Sequence, residues 1–360
     1  MSHLESFHAD HGAVFTEIAG ERFPVHYGRP DRTHLAVRNG VGAMEMPYSV
    51  LEVRGADRVE YVDNVISKRV PDEDAHGCYG LLCDPQGRIV ADLYVFSVGE
   101  RLLLFAPPAV GEDIAAEWQE KIFIQDVEIS VTTDDTVVFG VHGPTATEKV
   151  ASVVAGAPPP DGQLILARGS IAEADVLVIA GDNPCGEESY EIVCDAADAE
   201  RVFDALLTRG LSAVPMGMES WRTLTLEAGT PLFTSELEGA IPNELGLDAA
   251  IDYDKGCFIG QEVVSRIENR GQPGHRLVGL RPDSVPGPGA AVLDGDRSIG
   301  EVTRAAVNPT DERPIAMGLL DADVDRDRVS ISMDDGAIEA TVTGLPFATG
   351  SATSARVPRY

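Results

Sequence analysis

Lysine is almost missing from this chain of 360 residues. Only Lys68, Lys121, Lys149 and Lys255 occur, and the other basic residues are arginines. Basic side chains total 28 against 59 acidic ones, a net charge of -31. No basic run exceeds two residues, so there is no basic face for a phosphate backbone, and no nucleic-acid partner is expected. A carboxylate-dense surface with little lysine fits a haloarchaeal-type protein built for concentrated salt. At about 1 M salt the Debye length is about 3 Å, which screens the self-repulsion. An acidic protein from an ordinary cytoplasm is the alternative reading.

Cysteine is also scarce. Cys78, Cys83, Cys185, Cys194 and Cys257 are odd in number and contain no C-x-x-C pair. That argues against a disulfide framework and a cysteine zinc site. The histidines form no H-E-x-x-H, and no metal site is expected. Long apolar runs are missing too. "RLLLFAPPAVG" and "ADVLVIAG" are too short to span a bilayer, and "MSHLESFHADHG" has no apolar targeting core. The expectation is a cytoplasmic protein with no membrane partner.

What is present is a mixed α and β pattern. "SVLEVRG" and "RIVADLYVFSVGERLLLFAP" alternate as strands, with a hairpin turn at Gly99-Glu100. "VGEDIAAEWQEKI" reads as an amphipathic helix with Ile114, Trp118 and Ile122 on one face. "YEIVCDAADAERVFDALLTRG" is a strand and then a helix starting near Asp195 or Asp198 and stopped at Gly210. "GMESWRTLTLEAG" is another helix. After Gly271 the pattern changes to short apolar runs broken by Gly, Pro and Asp, as in a small β-barrel or sandwich. The fold class is therefore α+β over residues 1–271, followed by a small β-domain over 275–355, with a boundary near Gln272-Pro273-Gly274.

Five stretches carry more specific chemistry: "CYGLLCDPQGRIVADLYV", "VFGVHGPTA", "GEESYEIV", "WRTLTLEAGTPL" and "IPNELGLDAAIDYDKGCFIGQEVV". In this order and at these separations they resemble the glycine cleavage T-protein (aminomethyltransferase) superfamily. Within it, "KGCFIGQE" resembles the signature of the YgfZ-like folate-binding branch, linked to iron–sulfur cluster maintenance. The resemblance covers nearly the whole chain, including "IGEVTRAAVNP" near its end. It implies two interwoven α/β domains around a central channel that holds tetrahydrofolate, plus a small C-terminal β-barrel.

Carried over residue by residue, the resemblance makes Asp92 the catalytic aspartate. A carboxylate there orients an amine and stabilises developing positive charge. The family turn before this strand reads Gly-Gly with two acids, whereas Gly87-Arg88 and Ala91-Asp92 stand here. Glu187 and Glu191 match glutamates at the pterin pocket, where a carboxylate accepts two adjacent N–H donors as a fork. Carboxylates flanking a tight turn are otherwise solvated surface. Tyr79 matches a tyrosine near the folate, with a core tyrosine as the alternative. Glu227 matches a family glutamate, and Arg222 meets either the anionic folate tail or a surface partner. Arg266, with Arg270 and Arg276, forms the best local basic group for a glutamate tail.

Cys257 has three readings: a redox or cluster-transfer thiol, a packing cysteine, or a metal ligand. Val263, Val264 and Ile267 have helical spacing, which puts Cys257 just ahead of a helix beginning at Gly260 or Gln261. There the dipole and Lys255 both favour a thiolate. Two stretches depart from the family, "MEMPYS" near the start and "FAPPAVGED" after the central hairpin. Two functions follow. One is tetrahydrofolate-dependent aminomethyl transfer from a lipoyl carrier protein, through Asp92. The other is a folate-binding accessory role toward iron–sulfur proteins, through Cys257.

Overall fold

The computed structural model describes residues 4–360, the side chain of Arg270 excepted. Two sheets form the larger body, the first antiparallel but for one parallel pair at its edge and the second wholly antiparallel. The first runs in the order Leu166–Ile171, Ala174–Ala180, Ser189–Asp195, Thr136–His142, Gly42–Glu45, Val214–Pro215. The second runs Gly77–Cys83, Ile89–Val98, Arg101–Ala106, Ser49–Arg54, Glu128–Val131. Gly42–Glu45 belongs to the first sheet and Ser49–Arg54 to the second, so the chain crosses between them within Met46-Pro47-Tyr48. That crossing makes the two halves interwoven.

Local sequence explains most elements. Val98 pairs with Arg101 across the expected two-residue turn, and Gly99 takes the positive φ the turn needs. The helix Gly111–Lys121 buries Ile114 and Trp118. Ile122 lies just past its end, where the chain is already extended. The helix Ala199–Thr208 is led in by one 3₁₀ turn, Ala196–Asp198. It buries Val202, Phe203, Ala205 and Leu206 on one face, with Phe203 stacked on Phe139 at 4.9 Å. Five free cysteines are present, four buried and one exposed.

The strands from His275–Pro282 to Gly336–Thr343 close into a six-stranded barrel. Residues 345–360, expected from sequence to belong largely to the barrel domain, leave it and return to the larger body. Phe347 N donates to Glu227 O, Ala355 N to Asp182 O and Arg359 N to Gly246 O. Among the described residues, no helix is long and apolar enough to cross a membrane.

Candidate functional site

Where the two sheets face the helix Met218–Glu227, a cavity of about 560 Å³ opens. Its walls are mostly apolar: Met46, Tyr94, Phe105, Met218, Trp221 and Phe233. Both stretches that depart from the family reach it, through Pro47 and Tyr48 on one side and Ala106, Pro107 and Pro108 on the other. Tyr48 stacks flat on Phe105 at 5.4 Å. Asp92 and Arg356 line it, as do Glu219 and Arg222.

Asp92 stands on the strand Ile89–Val98, paired with Leu81 across the sheet. Gly87, at positive φ, turns the chain so that the two strands meet. The carboxylate accepts a hydrogen bond from Tyr79 Oη at 3.0 Å and lies 3.8 Å from Arg356 Nη1. Burial pushes its pKa up, and the Arg356 charge and the Tyr79 hydrogen bond oppose that rise. Tyr79 faces a smaller cavity of about 250 Å³, on the other side of Arg356. Its ring lies 5.0 Å from Tyr94, within the same aromatic cluster.

Glu191 sits behind Tyr48, whose Oη donates to it at 3.3 Å. Its Oε2 is buried and has no partner, and its pKa is pushed up to about 8, by burial first and by the Asp182 charge second. Asp182 contacts Arg356 Nε at 2.9 Å, but at an angle that is not a hydrogen bond, so Asp182 Oδ2 and Arg356 Nε both remain unsatisfied. Glu191 Oε2, Asp182 Oδ2 and Arg356 Nε are thus buried without hydrogen-bond partners; Arg356 lines both cavities, Asp182 only the smaller one, and Glu191 neither.

The structure does not bring the other expected residues here. Glu187 and Glu227 grip Arg38 instead: Arg38 Nη1 donates to Glu187 at 2.9 Å, and Nε and Nη2 donate to Glu227 at 2.9 and 2.6 Å. His34 joins Glu227 at 2.9 Å, its pKa pushed down to about 4 by burial and by Arg38. Glu187 also accepts from Ser351 N and Oγ, both at 2.7 Å, pinning the returning tail. Neither glutamate lines the cavity, because each carboxylate is already committed to a buried guanidinium.

Arg266 is exposed on the helix Gln261–Arg270 and lines neither cavity. Arg222, exposed, does line the larger one. Cys257 is exposed, so it is not a packing cysteine. It precedes the helix as expected but lies away from the cavity lining. Lys255 does not serve the thiol; its ammonium is buried and donates to the carbonyls of Asp63, Ile66 and Lys68. Among the described residues, no group of histidine, cysteine and carboxylate side chains is arranged to hold a metal ion.

Tyr48, Tyr94, Asp182, Arg356 and Arg38 were not singled out from sequence. Tyr48 sits in "MEMPYS", already marked as a departure, which is the one signal that pointed toward it. Arg356 lies in "ATGSATSARVPRY", whose Ala, Ser and Gly content reads as a loop.

Known proteins match this chain along nearly its whole length. The GCVT N-terminal domain family matches residues 4–255, and the glycine cleavage T-protein C-terminal barrel domain matches residues 275–348. An aminomethyltransferase of Saccharopolyspora erythraea is 30% identical over 356 residues, covering 96% of this chain and 96% of that protein. One from Streptomyces avermitilis is 32% identical over 336 residues, covering 89% of this chain and 88% of its own. The crystal structure of glycine cleavage system aminomethyltransferase T from Bartonella henselae superposes with a TM-score of 0.87, covering 98% of each chain at 23% identity, a likeness of fold. The chain belongs to the glycine cleavage T-protein family.

Proposed function

We propose that this protein is an aminomethyltransferase that uses tetrahydrofolate as the acceptor, with the cavity at Asp92 as its site. The observation that carries the reading is a cavity walled by the rings of Tyr48, Tyr94, Phe105 and Trp221 with Asp92 in its lining, and behind Tyr48 the buried, unpartnered Glu191 Oε2. Tetrahydrofolate supplies the nucleophilic amine that takes the one-carbon unit. The rest is done by this chain. Glu191, once ionised, accepts from the donor edge of the pterin. Tyr94, Phe105 and Trp221 clasp the flat ring and exclude water. Asp92, fixed by Tyr79, orients the reacting amine and offsets positive charge that develops beside it. Arg222, exposed in the cavity lining, is the cation for an anionic tail. The one-carbon donor is an aminomethyl group on a lipoyl carrier protein.

An accessory role toward iron–sulfur proteins has one observation in its favour, the exposure of Cys257 within "KGCFIGQE". The relatives that match along the chain are aminomethyltransferases, and the site geometry gathers at Asp92, so this second reading ranks below the first. Calorimetric titration with tetrahydrofolate in molar potassium chloride tests the proposal. Wild type should bind, and Glu191→Gln should bind about tenfold or more weakly, the loss expected for a charge-assisted pair. Equal binding by both proteins, or none by wild type, would overturn the assignment.

A further inference from the structure

The segment 345–360 is fastened along its length. Beyond the bonds at Phe347, Ala355 and Arg359, Ser351 is held by Glu187, and Tyr360 Oη donates to Glu244 O at 2.7 Å. What this strap delivers is one side chain. Arg356 is 6% exposed and lines both the larger cavity and the smaller one, so its guanidinium is the partition between them. It lies over the ring of Tyr79 at 5.3 Å and of Tyr94 at 5.8 Å. It meets Asp182 at 2.9 Å and Asp92 at 3.8 Å.

We infer that Arg356 is a positioning residue for the transfer reaction, the counter-charge that keeps Asp92 ionised and aimed at the reacting amine. The inference rests on the proposed function for its kinetic consequence, though not for its electrostatics. The groups facing Asp92 come from every neighbouring element. Tyr79 comes from the strand Gly77–Cys83, Tyr94 from its own strand, Asp182 from the loop after Ala180, and Arg356 from the strap. Tyr48 and Glu191 stand in the next layer. Three carboxylates and one guanidinium thus share a buried space. A carboxylate this buried takes up a proton unless a cation is beside it, and a protonated Asp92 cannot offset positive charge on an amine. Arg356 lowers the Asp92 pKa while Asp182 raises it.

The two neighbours therefore give opposite signs. Arg356→Met keeps an unbranched apolar stem and removes the charge, so Asp92 should protonate at higher pH. Asp182→Asn removes the opposing carboxylate and frees Arg356 for Asp92, so Asp92 should protonate at lower pH. Arg356→Lys restores the charge and most of the wild-type behaviour. An opposite charge within about 4–6 Å moves the midpoint of a carboxylate by about 1–3 pH units, so a change of about one is readable.

The experiment measures kcat/KM for transfer against pH in the four proteins. Alongside it, carbon-13 NMR titrates the aspartate carboxyls with no folate or carrier present, using Asp92→Asn for assignment. The acid limb and the NMR midpoint should rise in Arg356→Met and fall in Asp182→Asn. Below the limb, Arg356→Met should lose about tenfold in kcat/KM for each pH step by which its midpoint has risen. Transfer with an unmoved midpoint in both variants overturns the inference, since a merely structural arginine changes stability without moving it. Moved midpoints with no transfer in any protein support the pairing and refute the reaction. If Arg356→Met does not fold, Asp182→Asn alone decides, because its midpoint moves in the opposite direction.

Discussion

Removing the guanidinium of Arg38 should unsettle the fold far more than the active cavity. Arg38 makes five hydrogen bonds, two to Glu227, one to Glu187 and one each to the carbonyls of Cys185 and Leu224. Its side chain is 12% exposed, and those of Glu187 and Glu227 are 3% and 1% exposed. Arg38→Met leaves two carboxylates buried without a cation. His34 is a poor replacement, since burial is the larger cause of its lowered pKa and persists after the substitution. Breaking a buried pair in this way costs about 3–5 kcal/mol. A loss of that size lowers the main unfolding transition by roughly 10 °C. The sign with pH follows from burial, which already raises the Glu227 pKa with Arg38 present. Without Arg38 the folded-state pKa lies further above the unfolded value. The deficit is then absent below the unfolded carboxylate range and grows as pH rises through the raised folded value. Urea unfolding at pH 5 and pH 8, in 0.2 M and 2 M potassium chloride, measures this. The loss should be greater at pH 8 and should survive high salt, which screens buried charges poorly. A loss under about 1 kcal/mol, or one equal at both pH values, would refute the reasoning.

Further outcomes follow from the structure. Glu191, with a pKa near 8 in the empty protein, must lose a proton to accept from the pterin. Tetrahydrofolate binding at pH 7 should release close to one proton, seen by calorimetry in buffers of different ionisation enthalpy, and affinity should fall about tenfold for each pH step below 8. Because that folded pKa is raised, the empty protein should lose stability as pH rises from about 4.5 to 8, and Glu191→Gln should flatten that slope in urea titrations. Cys257→Ser should leave transfer and folate binding unchanged within about twofold, as expected for a surface substitution. One thiol per folded chain should react with a maleimide, because the other four are buried.

The order of elements was legible because local rules govern it. The hairpin at Gly99, the helix stop at Gly210 and the helix at Gln261 each follow from a turn glycine or an apolar period. Asp92 was legible through its motif, and it lines the cavity. Glu187 and Glu191 look equivalent in "GEESYE", yet one grips Arg38 and the other sits behind the cavity wall. Four residues apart in and near a strand, they are separated by contacts that sequence spacing does not encode. Glu227 was displaced from the site for the same reason, since Arg38 lies 189 positions away. Arg356 was invisible because its meaning depends on where the strap runs, and that path is set by Glu187, Asp182 and Gly246 rather than by its own neighbours.

Single-turnover transfer is the most direct measurement. Wild type and Asp92→Asn are mixed with tetrahydrofolate and an aminomethyl-loaded lipoyl carrier in molar potassium chloride, and ammonia and methylene-tetrahydrofolate are followed. Wild type should form both products in equal amounts, and Asp92→Asn should be slower by about 10²–10⁴, the range for a positioned proton-handling group, while still binding folate. Equal rates in the two proteins, or no product from a wild type that binds tetrahydrofolate, would contradict the account.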